Sequence, residues 1–317
     1  MGAAQSELTA IAVRDLGRQF GPVTAVDRLH FDVARGELFG LVGPDGAGKT
    51  TTLRMLAGVL RPTAGDALLC GVSVRDDPEG VKHHIGYMSQ RFGLYGDLTV
   101  RENIEFYADL YRVPARERAA RRERLYQFSS LGPFERRLAG QLSGGMKQKL
   151  GLCCALIHEP DILLLDEPTF GVDPISRRDL WLIIHEMVSQ GVAVLVSTAY
   201  LDEAERCDHV ALLDGGRIVA LDRPQALQQS VAGVTLEVRT SNPRAALRAL
   251  AHAPGVRRAE LFGDTLHVVV SSRENDWPAA AAALVAGSVD VLDVREIEPS
   301  LEDVFIDRVA SAEAARQ

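Results

Sequence analysis

The sequence predicts an α/β protein with a large domain over residues 1–228 and a small C-terminal α/β domain over residues 229–317. Short apolar strands alternate with segments of helical spacing, which is typical of a sheet that helices cover on both faces. A glycine-rich turn joins one of these strands to a helix. Near residue 225 the composition shifts, and a second series of strands and helices begins. These observations predict two domains of unequal size.

The beginning of the chain is predicted to consist mainly of strands. Residues 11–16 and 29–33 show partial apolar alternation, and residues 37–42 form a mostly apolar strand. Residues 50–60 have the spacing of a helix, which we expect to stop before Pro62 because proline cannot continue a helix. The strand over residues 37–42 therefore runs directly into the glycine-rich turn, and a helix follows it.

Helical patterns dominate the chain from about residue 99 to residue 158 and predict a helical subdomain. Thr99 and Glu102 have the spacing of a capping box, in which the two residues satisfy each other's backbone N–H groups. Beyond residue 160 strands and helices alternate again. We predict buried strands over residues 162–165 and 192–197, a helix over residues 177–190, and a hairpin whose strands cover residues 210–213 and 217–220.

The C-terminal domain is predicted to follow a strand–helix–strand–strand–helix–strand order, which resembles a small ferredoxin-like domain. A Gly263-Asp264 turn separates its second and third strands. A last helix is expected to begin near Ser300. The predicted strands cover residues 234–239, 256–262, 265–270 and 289–297, and the predicted helices cover residues 243–253 and 277–285.

Composition and charge exclude some classes of protein. The net charge is −8, whereas a protein that binds nucleic acid usually carries a basic surplus, so we expect no nucleic acid partner. The four cysteines form no CxxC pair and have mostly apolar neighbours, which predicts small buried side chains and no structural metal. No apolar run reaches the roughly 18 residues that a membrane span needs. We therefore expect a cytoplasmic protein.

The glycine-rich turn has the sequence GPDGAGKT and matches the phosphate-binding pattern GxxxxGK[ST] at every fixed position. Its glycines allow backbone N–H groups to converge on phosphate oxygens, and the following helix N-terminus favours negative charge. Lys49 would reach the β- and γ-phosphates, and the Thr50 hydroxyl would ligate Mg²⁺. The predicted binding residues are Gly43, Pro44, Asp45, Gly46, Ala47, Gly48, Lys49, Thr50 and Thr51.

A second candidate element is the predicted strand over residues 162–165, which ends in Asp166 and Glu167. At the carboxyl end of a strand Asp166 can bind Mg²⁺, directly or through water. Glu167 can accept a proton from an attacking water molecule. An apolar strand that ends in acids is a weak signal alone, but it follows a phosphate-binding loop at a suitable distance. We therefore predict a nucleoside triphosphate with Mg²⁺ at this site, and the family resemblance described next implies that the nucleotide is ATP.

Between these two elements lies LSGGMKQK, residues 142–149, which resembles the LSGGQ signature of the ATP-binding cassette (ABC) ATPases. The resemblance covers residues 8–225. It implies a P-loop NTPase core with a RecA-like mixed sheet, a helical subdomain and an antiparallel β part. In this family two nucleotide-binding domains pair head to tail, and each ATP lies between one P-loop and the partner's signature. Ser143 and the amides of Gly144 and Gly145 would then donate to the γ-phosphate.

The resemblance implies roles for three further residues. Gln90 matches the Q-loop glutamine, which approaches Mg²⁺ and the attacking water. The stretch over residues 91–100 would then face a membrane subunit. Asp173 resembles the D-loop aspartate between the two ATPase subunits. Phe20 lies where the family has an aromatic ring that stacks on adenine, although an ordinary core phenylalanine is the alternative.

The chain departs from the family pattern at two positions. Asp45 stands where many members have asparagine, and we expect this change to have a small effect. Ala199 in the segment STAYLDEAE, residues 197–205, stands where the family normally has the switch histidine. Alanine cannot hydrogen-bond the γ-phosphate or orient the attacking water, so we expect slow hydrolysis. Glu167 remains available for the reaction.

Two segments indicate a subfamily. The segment EPSLEDVF, residues 298–305, resembles the end of ATPases from daunorubicin-type drug exporters, which carry a small α/β domain after the core. The segment EPTFGVDP, residues 167–174, resembles the halves of tandem ATPases that serve multidrug exporters. The resemblance implies an exporter subunit at the inner face of the membrane. Its expected partners are transmembrane permease subunits and a second ABC ATPase, in a homodimer or a heterodimer.

Two alternatives remain open at the level of sequence. A soluble ABC ATPase that works on ribosomes or DNA would usually carry a second ATPase domain with a charged linker, or long coiled coils, and this chain has neither. A regulatory subunit that binds ATP but hardly hydrolyses it is favoured by Ala199. The same alternative is opposed by Glu167 and by the complete phosphate-binding loop.

Overall fold

The structure, a computed structural model, describes residues 9–90 and 93–314. The chain divides into two compact units, Met1–Asp222 and Arg223–Gln317. Within the described ranges, no helix is both long enough and apolar enough to cross a bilayer.

A six-stranded mixed sheet forms the centre of the first unit. Strands β3, β7 and β8 are buried along their whole length, as expected for a sheet with helices on both faces. The strands are β3 (Leu38–Val42), β6 (Ile85–Met88), β7 (Ile162–Asp166), β8 (Ala193–Thr198), β9 (His209–Asp214) and β10 (Arg217–Asp222). Their order is β10-β9-β3-β8-β7-β6, in which only the β9–β10 hairpin pairs antiparallel. The predicted RecA-like mixed sheet is confirmed.

A four-stranded antiparallel sheet forms the second layer of this unit. Its strands are β1 (Thr9–Phe20), β2 (Val23–Ala34), β4 (Ala64–Leu69) and β5 (Val72–Ser73), in the order β2-β1-β4-β5. The two layers share one apolar core, in which the rings of Phe31 and Phe39 stack with centroids 5.0 Å apart. This sheet supplies the predicted antiparallel part, with strands longer than the alternation indicated.

Seven α-helices lie in the part of the first unit that the structure describes. They are α1 (Lys49–Leu56), α2 (Pro78–Val81), α3 (Val100–Leu110), α4 (Ala115–Ser129), α5 (Gly144–Leu156), α6 (Pro174–Ser189) and α7 (Leu201–Ala204). The predicted capping box is present, because Thr99 N donates to Glu102 at 2.8 Å and Glu102 N donates to Thr99 at 3.2 Å. Helix α1 ends earlier than predicted, since Gly58 adopts the left-handed conformation with φ 65°.

The second unit has the predicted ferredoxin-like order. Its strands are β11 (Val234–Thr240), β12 (Val256–Phe262), β13 (Thr265–Val270) and β14 (Val291–Ile297), all antiparallel in the order β12-β13-β11-β14. Its helices are α8 (Pro224–Gln229), α9 (Pro243–Leu250), α10 (Arg273–Ala286) and α11 (Leu301–Ala314). Helix α10 begins earlier than predicted because Ser272 caps it by accepting from Asn275 N at 3.4 Å.

Helix α8 lies at the start of this unit and packs against α11. Leu227 on α8 is buried, and Arg308 on α11 donates to the Ser230 hydroxyl at 2.6 Å. The compact unit therefore begins at Arg223, whereas the sequence prediction put the boundary after residue 228. The polar composition of this segment conceals a helix that is held by contacts with the far end of the chain.

A buried, hydrogen-bonded pair of side chains holds α11 on the sheet of the second unit. His267 Nδ1 lies 3.0 Å from both carboxylate oxygens of Asp303, and Ser300 donates to Asp303 from its backbone at 2.8 Å. The Arg258 guanidinium is 3.9 Å away. Burial raises the pKa of the Asp303 carboxyl, but the hydrogen bonds from His267 and Ser300 outweigh it and hold the pKa below its usual value.

We expect Asp303→Asn to destabilise the second unit by about 3 kcal/mol, because it leaves the buried His267 without its charged partner. Urea unfolding followed by Trp277 fluorescence in a Trp181→Phe background measures this loss. Asp307→Asn, which removes a half-exposed carboxylate near Arg258, is the matched control and should cost under about 1 kcal/mol.

The same pair makes a prediction about pH. Because the folded pKa of Asp303 is lowered, its stabilisation is present above about pH 4 and is lost as the pH falls through the folded value. In Asp303→Asn the free energy of unfolding should therefore fall less steeply as the pH is lowered through this range. Equal urea midpoints and an equal fall with pH for the two proteins would contradict the assignment.

Candidate active site

The glycine-rich loop leaves the carboxyl end of β3 and leads into α1. Gly48 begins this helix with φ 105°, a conformation that strains any residue with a Cβ. A Cβ on Gly43 would collide with the Leu213 carbonyl, so the loop passes β9 where only glycine fits. The loop backbone is thus held close to the sheet with the amino end of α1 beside it, the arrangement that suits a phosphate group.

A cavity of about 310 Å³ lies at this loop. Two of its residues, Gln90 and Glu167, come from the ends of β6 and β7 and are far from the loop in sequence. The fold therefore brings the predicted catalytic residues to one cavity. Its lining consists of Ala25, Asp45, Gly46, Ala47, Gly48, Lys49, Thr50, Thr51, Gln90 and Glu167.

Lys49 is buried at the floor of the loop. Its ammonium group donates to the carbonyls of Gly43 at 2.7 Å and Pro44 at 3.1 Å, and it lies 3.3 Å from a carboxylate oxygen of Glu167. The side chains of Lys49 and Glu167 are 4% and 9% exposed, so water screens the pair weakly. A positive charge and a carboxylate are thus fixed at contact distance inside the cavity.

Glu167 has an unusual backbone conformation. Its φ of 51° lies in the left-handed region, which costs a non-glycine residue roughly 1–2 kcal/mol. Its backbone N–H donates to the Ser197 hydroxyl at 3.1 Å, and its carboxylate accepts from the Gln90 amide at 2.8 Å. Strain of this kind persists where neighbouring contacts determine the conformation, and it is concentrated at functional sites.

The neighbouring carboxylate of Asp166 faces Thr50. The Thr50 hydroxyl donates to Asp166 Oδ1 at 3.0 Å, and the Ser197 hydroxyl donates to the same oxygen at 2.8 Å. The other oxygen, Oδ2, is buried and has no hydrogen-bond partner among the residues that the structure describes. Asp166 Oδ2 and the neighbouring Thr50 hydroxyl are the type of oxygen ligand that Mg²⁺ prefers.

The signature residues are at a helix N-terminus elsewhere on the same unit. Ser143 caps α5 by accepting from Met146 N at 3.3 Å, and Ser143 and Gly144 are exposed. Gly145 is buried where a Cβ would collide with Ser176 on α6. Ser143, Gly144 and Gly145 are not among the residues that line the cavity. Ser143 and Gly144, at the start of α5, are therefore on the surface and outside the cavity.

Asp173 caps α6, which packs beside the signature helix. Its carboxylate accepts from the backbone of Ile175 at 3.1 Å and of Ser176 at 3.0 Å. The hydrogen bond from the Ser176 backbone, followed by weaker contributions, lowers the pKa of this exposed carboxyl. Asp173 is therefore a charged group on the surface that carries the signature, and it is also outside the lining of the cavity.

Phe20 is the last residue of β1, and its side chain is 45% exposed. The Arg18 guanidinium lies over its ring at 4.5 Å from the centroid. Phe20 is not among the residues that line the cavity. The alternative of an ordinary core phenylalanine does not fit this exposure, and an exposed ring with one face available suits stacking.

Ala199 follows β8 and is exposed. The segment around it is fixed by Glu203, which is fully buried and accepts from Thr198 at 2.8 Å and from Arg177 at 2.6 Å. The Arg177 guanidinium also lies 5.1 Å from the centre of the Tyr200 ring. The segment around Ala199 is therefore held in place by contacts with α6, although the imidazole itself is missing.

Sequence reasoning missed Ser197 and Ala25. Ser197 contacts both Asp166 and Glu167 because β7 and β8 pair in register, with Asp166 opposite Ser197. A hydroxyl residue at the end of the strand next to an Asp-Glu pair is a signal that could have revealed it. Ala25 lines the cavity from β2, and no local pattern in the sequence marks it.

A phosphate-binding loop after β3, a lysine, two acids at the end of β7 and a mixed sheet define the class of P-loop ATPases. Family models agree with this classification. Residues 26–170 match the model described as ABC transporter, and residues 223–309 match the C-terminal domain of DrrA1-3-like ATP-binding proteins.

Individual relatives cover most of the chain. The Nod factor export ATP-binding protein I of Ralstonia nicotianae is 37% identical over 93% of this chain and 92% of its own length. The daunorubicin resistance ATP-binding protein DrrA3 of Streptomyces coeruleorubidus is 34% identical over 94% and 95%. The probable multidrug ABC transporter ATP-binding protein YbhF of Escherichia coli is 43% identical over 91% of this chain, which spans half of YbhF.

Solved structures agree with this fold. A structure titled as the ATP-binding subunit of an ABC transporter covers 70% of this chain and 92% of its own, with a TM-score of 0.65 and 31% identity. The dimeric bacterial cassette MJ0796 matches with a TM-score of 0.63 over 67% of this chain and 98% of its own, and at 23% identity it supports the fold alone. The chain belongs to the ABC transporter family of ATP-binding subunits and carries a DrrA-type C-terminal domain.

Proposed function

We propose that this chain is the ATP-binding and hydrolysing subunit of an ABC-type exporter, in which closure of an ATPase dimer drives a separate membrane permease. The observation that carries the proposal is the convergence of Lys49, Gln90 and Glu167 at the cavity of the phosphate-binding loop. A lysine for phosphate charge and a carboxylate for a water proton are the two groups that hydrolysis of a phosphoanhydride requires.

In the proposed reaction the loop amides and Lys49 bind the phosphates, and Lys49 exchanges its contact with Glu167 for the γ-phosphate. Glu167 is then free to accept a proton from the attacking water, which the Gln90 amide orients. The strained backbone of Glu167 keeps its carboxylate at this position while the lysine moves. Because both side chains are buried, bulk water screens their charges only weakly.

Mg²⁺ is the proposed metal cofactor, held by Thr50, by Asp166 and, at closure, by Gln90. The leftover buried oxygen of Asp166 supports this assignment. Bound Mg²⁺ would neutralise negative charge on the β- and γ-phosphates. The hydroxyl of Ser197 keeps Asp166 oriented toward Thr50, since it donates to the carboxylate at 2.8 Å.

A second ABC ATPase subunit is the proposed partner at the phosphate site. The exposed N-terminus of α5 offers the Ser143 hydroxyl and the amides of Gly144 and Gly145 to a γ-phosphate that a partner's loop would hold. Phe170 and Ile175, which flank Asp173, are 58% and 69% exposed and supply apolar area for this contact. The partner is either a second copy of this chain or a related ATPase.

A transmembrane permease is the proposed second partner, and through it the chain would lie at the inner face of the membrane. The stretch assigned to this contact is residues 91–100, of which residues 91 and 92 lie outside the described residues. Tyr95, Phe106 and Leu110 are 50%, 37% and 60% exposed, and the first two rings are in edge contact at 4.7 Å. The exposed contact between Phe106 and Tyr95, which follows Gln90 closely in the chain, suits a docking surface.

The names of the relatives support the proposal that the transporter exports drugs or other hydrophobic compounds. The names of YbhF and DrrA3 refer to multidrug transport and daunorubicin resistance, and that of the Ralstonia protein to Nod factor export. The EPSLEDVF segment supports the same subfamily, because it lies within the residues that match the DrrA-type C-terminal domain. A nucleic acid partner is disfavoured by the net charge of −8.

Ala199 favours a second candidate function, a weakly active regulatory half of a heterodimeric transporter. A methyl group cannot orient water or contact the γ-phosphate, so we propose that a site built on this loop hydrolyses slowly. The similarity to YbhF is compatible with such an arrangement, because this chain spans only half of that relative's length.

We expect Glu167→Gln to abolish steady-state ATP hydrolysis, by at least about 100-fold, while ATP binding persists. The amide keeps the shape of the side chain and its contact with Gln90 but cannot accept a proton. Phosphate release and binding of a fluorescent ATP analogue are measured side by side. Glu186→Gln, on the exposed side of α6, is the control and should hydrolyse ATP at the wild-type rate. Hydrolysis by Glu167→Gln at the unchanged rate would contradict the assignment.

We expect Ala199→His to raise the turnover number by about tenfold or more, because an imidazole at the anchored end of β8 can orient the attacking water. Ala199→Leu, which adds bulk without a hydrogen-bonding group, should not raise it. The measurement is phosphate release by the purified dimer at saturating ATP. Turnover at the ordinary rate of ABC ATPases in the unchanged protein, with no gain in Ala199→His, would rule out the proposal of slow hydrolysis.

A further inference from the structure

A cluster of three side chains with metal-binding atoms lies at the edge of the mixed sheet opposite the phosphate site. Cys70, His84 and Asp161 bring a thiol, an imidazole and a carboxylate within 4.8 Å of one another. All three are partly exposed. His84 and Asp161 directly precede β6 and β7, whereas Gln90, Asp166 and Glu167 are at the carboxyl ends of the same strands. The cluster is therefore separate from the nucleotide chemistry.

The backbone holds the three residues in place without a metal ion. Ile162 N donates to the His84 carbonyl at 3.0 Å, which fixes His84 beside Asp161 at the start of two paired strands. Cys70 N donates to the Ala10 carbonyl at 2.8 Å. Cys70 also occupies the tight turn between β4 and β5 with φ 48°, where asparagine, aspartate or glycine is usual. The cysteine is thus kept in a strained position that points to a role for its side chain.

We propose that Cys70, His84 and Asp161 form a binding site for a zinc-type divalent cation, with water as a fourth ligand. Sulfur, imidazole nitrogen and carboxylate oxygen are the three ligand types that zinc takes from proteins. Tetrahedral coordination at the usual bond lengths sets the ligand atoms about 3.5 Å apart, so side-chain rotations are enough to close the present spacing. The set favours zinc over Mg²⁺ and Ca²⁺, which prefer oxygen ligands alone.

Access to the cluster is open. A cavity of about 310 Å³ lies beside it, and Asp161 and Arg35 contribute to its lining. Spacing along the chain did not reveal this site, because its members come from three segments that only the sheet brings together. The cysteine spacing had predicted no metal, since no two cysteines are close in sequence.

In the present structure Arg35 contacts two of the proposed ligands, so it would compete with a bound cation. Its guanidinium lies 3.1 Å from Asp161 Oδ1 and 3.8 Å from Cys70 Sγ, and its side chain is 46% exposed. An exposed arginine can turn into solvent when an ion of higher charge takes its place. A substitution of Arg35 therefore distinguishes an effect on metal binding from an effect of misfolding.

Cobalt is a direct probe of the proposed site, because a thiolate that ligates Co²⁺ produces charge-transfer absorption in the near ultraviolet. Untagged full-length protein, reduced and treated with a chelator, is titrated with Co²⁺ in excess Mg²⁺, and Zn²⁺ is then added. We expect one equivalent of Co²⁺ to produce the absorption and Zn²⁺ to remove it. A protein without this band at saturating Co²⁺ would overturn the proposal.

The variants identify the ligands. Cys70→Ser should remove the charge-transfer band, and His84→Ala should weaken Zn²⁺ binding by about 100-fold or more. His83→Ala and Cys207→Ala are the matched controls, since His83 is exposed next to the site and Cys207 is buried elsewhere, and both should leave the titration unchanged.

Arg35→Gln should strengthen Zn²⁺ binding by about tenfold, because it removes a positive charge from the site. An unfolded variant cannot produce this gain. A band that persists in Cys70→Ser, or weaker binding by Arg35→Gln, would overturn the proposal.

Discussion

The hydroxyl of Ser197 determines the geometry at the end of β7. It donates to Asp166 at 2.8 Å and accepts from the backbone of Glu167 at 3.1 Å, so one group orients one acid and holds the strained backbone of the other. This arrangement depends on the register between β7 and β8, which are buried along their whole length. A shift of one residue would turn Ser197 to the other face of the sheet and release both acids. The packing of the sheet therefore also positions the carboxylates of Asp166 and Glu167.

The strongest sequence signals are those in which one segment contains both the chemistry and its structural context. The loop over residues 43–50 follows a strand and opens a helix, and Asp166 and Glu167 end an apolar strand, so both could be predicted from local pattern. Contacts between distant segments could not. Ser197 meets the acids only through strand pairing, and Cys70 meets Asp161 only because the antiparallel sheet packs beside the mixed sheet. Helix α8 was missed as part of the second unit, since its burial comes from α11.

The exposed surfaces of the first unit fit an incomplete site. The cavity of the phosphate-binding loop contains the lysine, the glutamine and the glutamate, while the N-terminus of the signature helix is exposed and outside its lining. Asp173 and the exposed Ile175 lie on the helix packed against it. An active assembly under the proposed function therefore requires a second subunit, which brings its own signature to this cavity. Ala199 would then make the two sites of a mixed dimer unequal, and the identity of the partner would set the overall rate.

Equilibrium binding of a fluorescent ATP analogue, with and without Mg²⁺, tests the phosphate site most directly. Lys49→Ala is compared with the unchanged protein and with Lys147→Ala, which removes a lysine from the signature helix outside the cavity. Mg²⁺ should tighten binding by the unchanged protein and by Lys147→Ala, because Thr50 and Asp166 then hold the ion against the phosphates. Lys49→Ala should lose at least about tenfold in affinity with the contact to the β- and γ-phosphates. Equal affinities in all three proteins, unaffected by Mg²⁺, would contradict the assignment of this loop as the phosphate site.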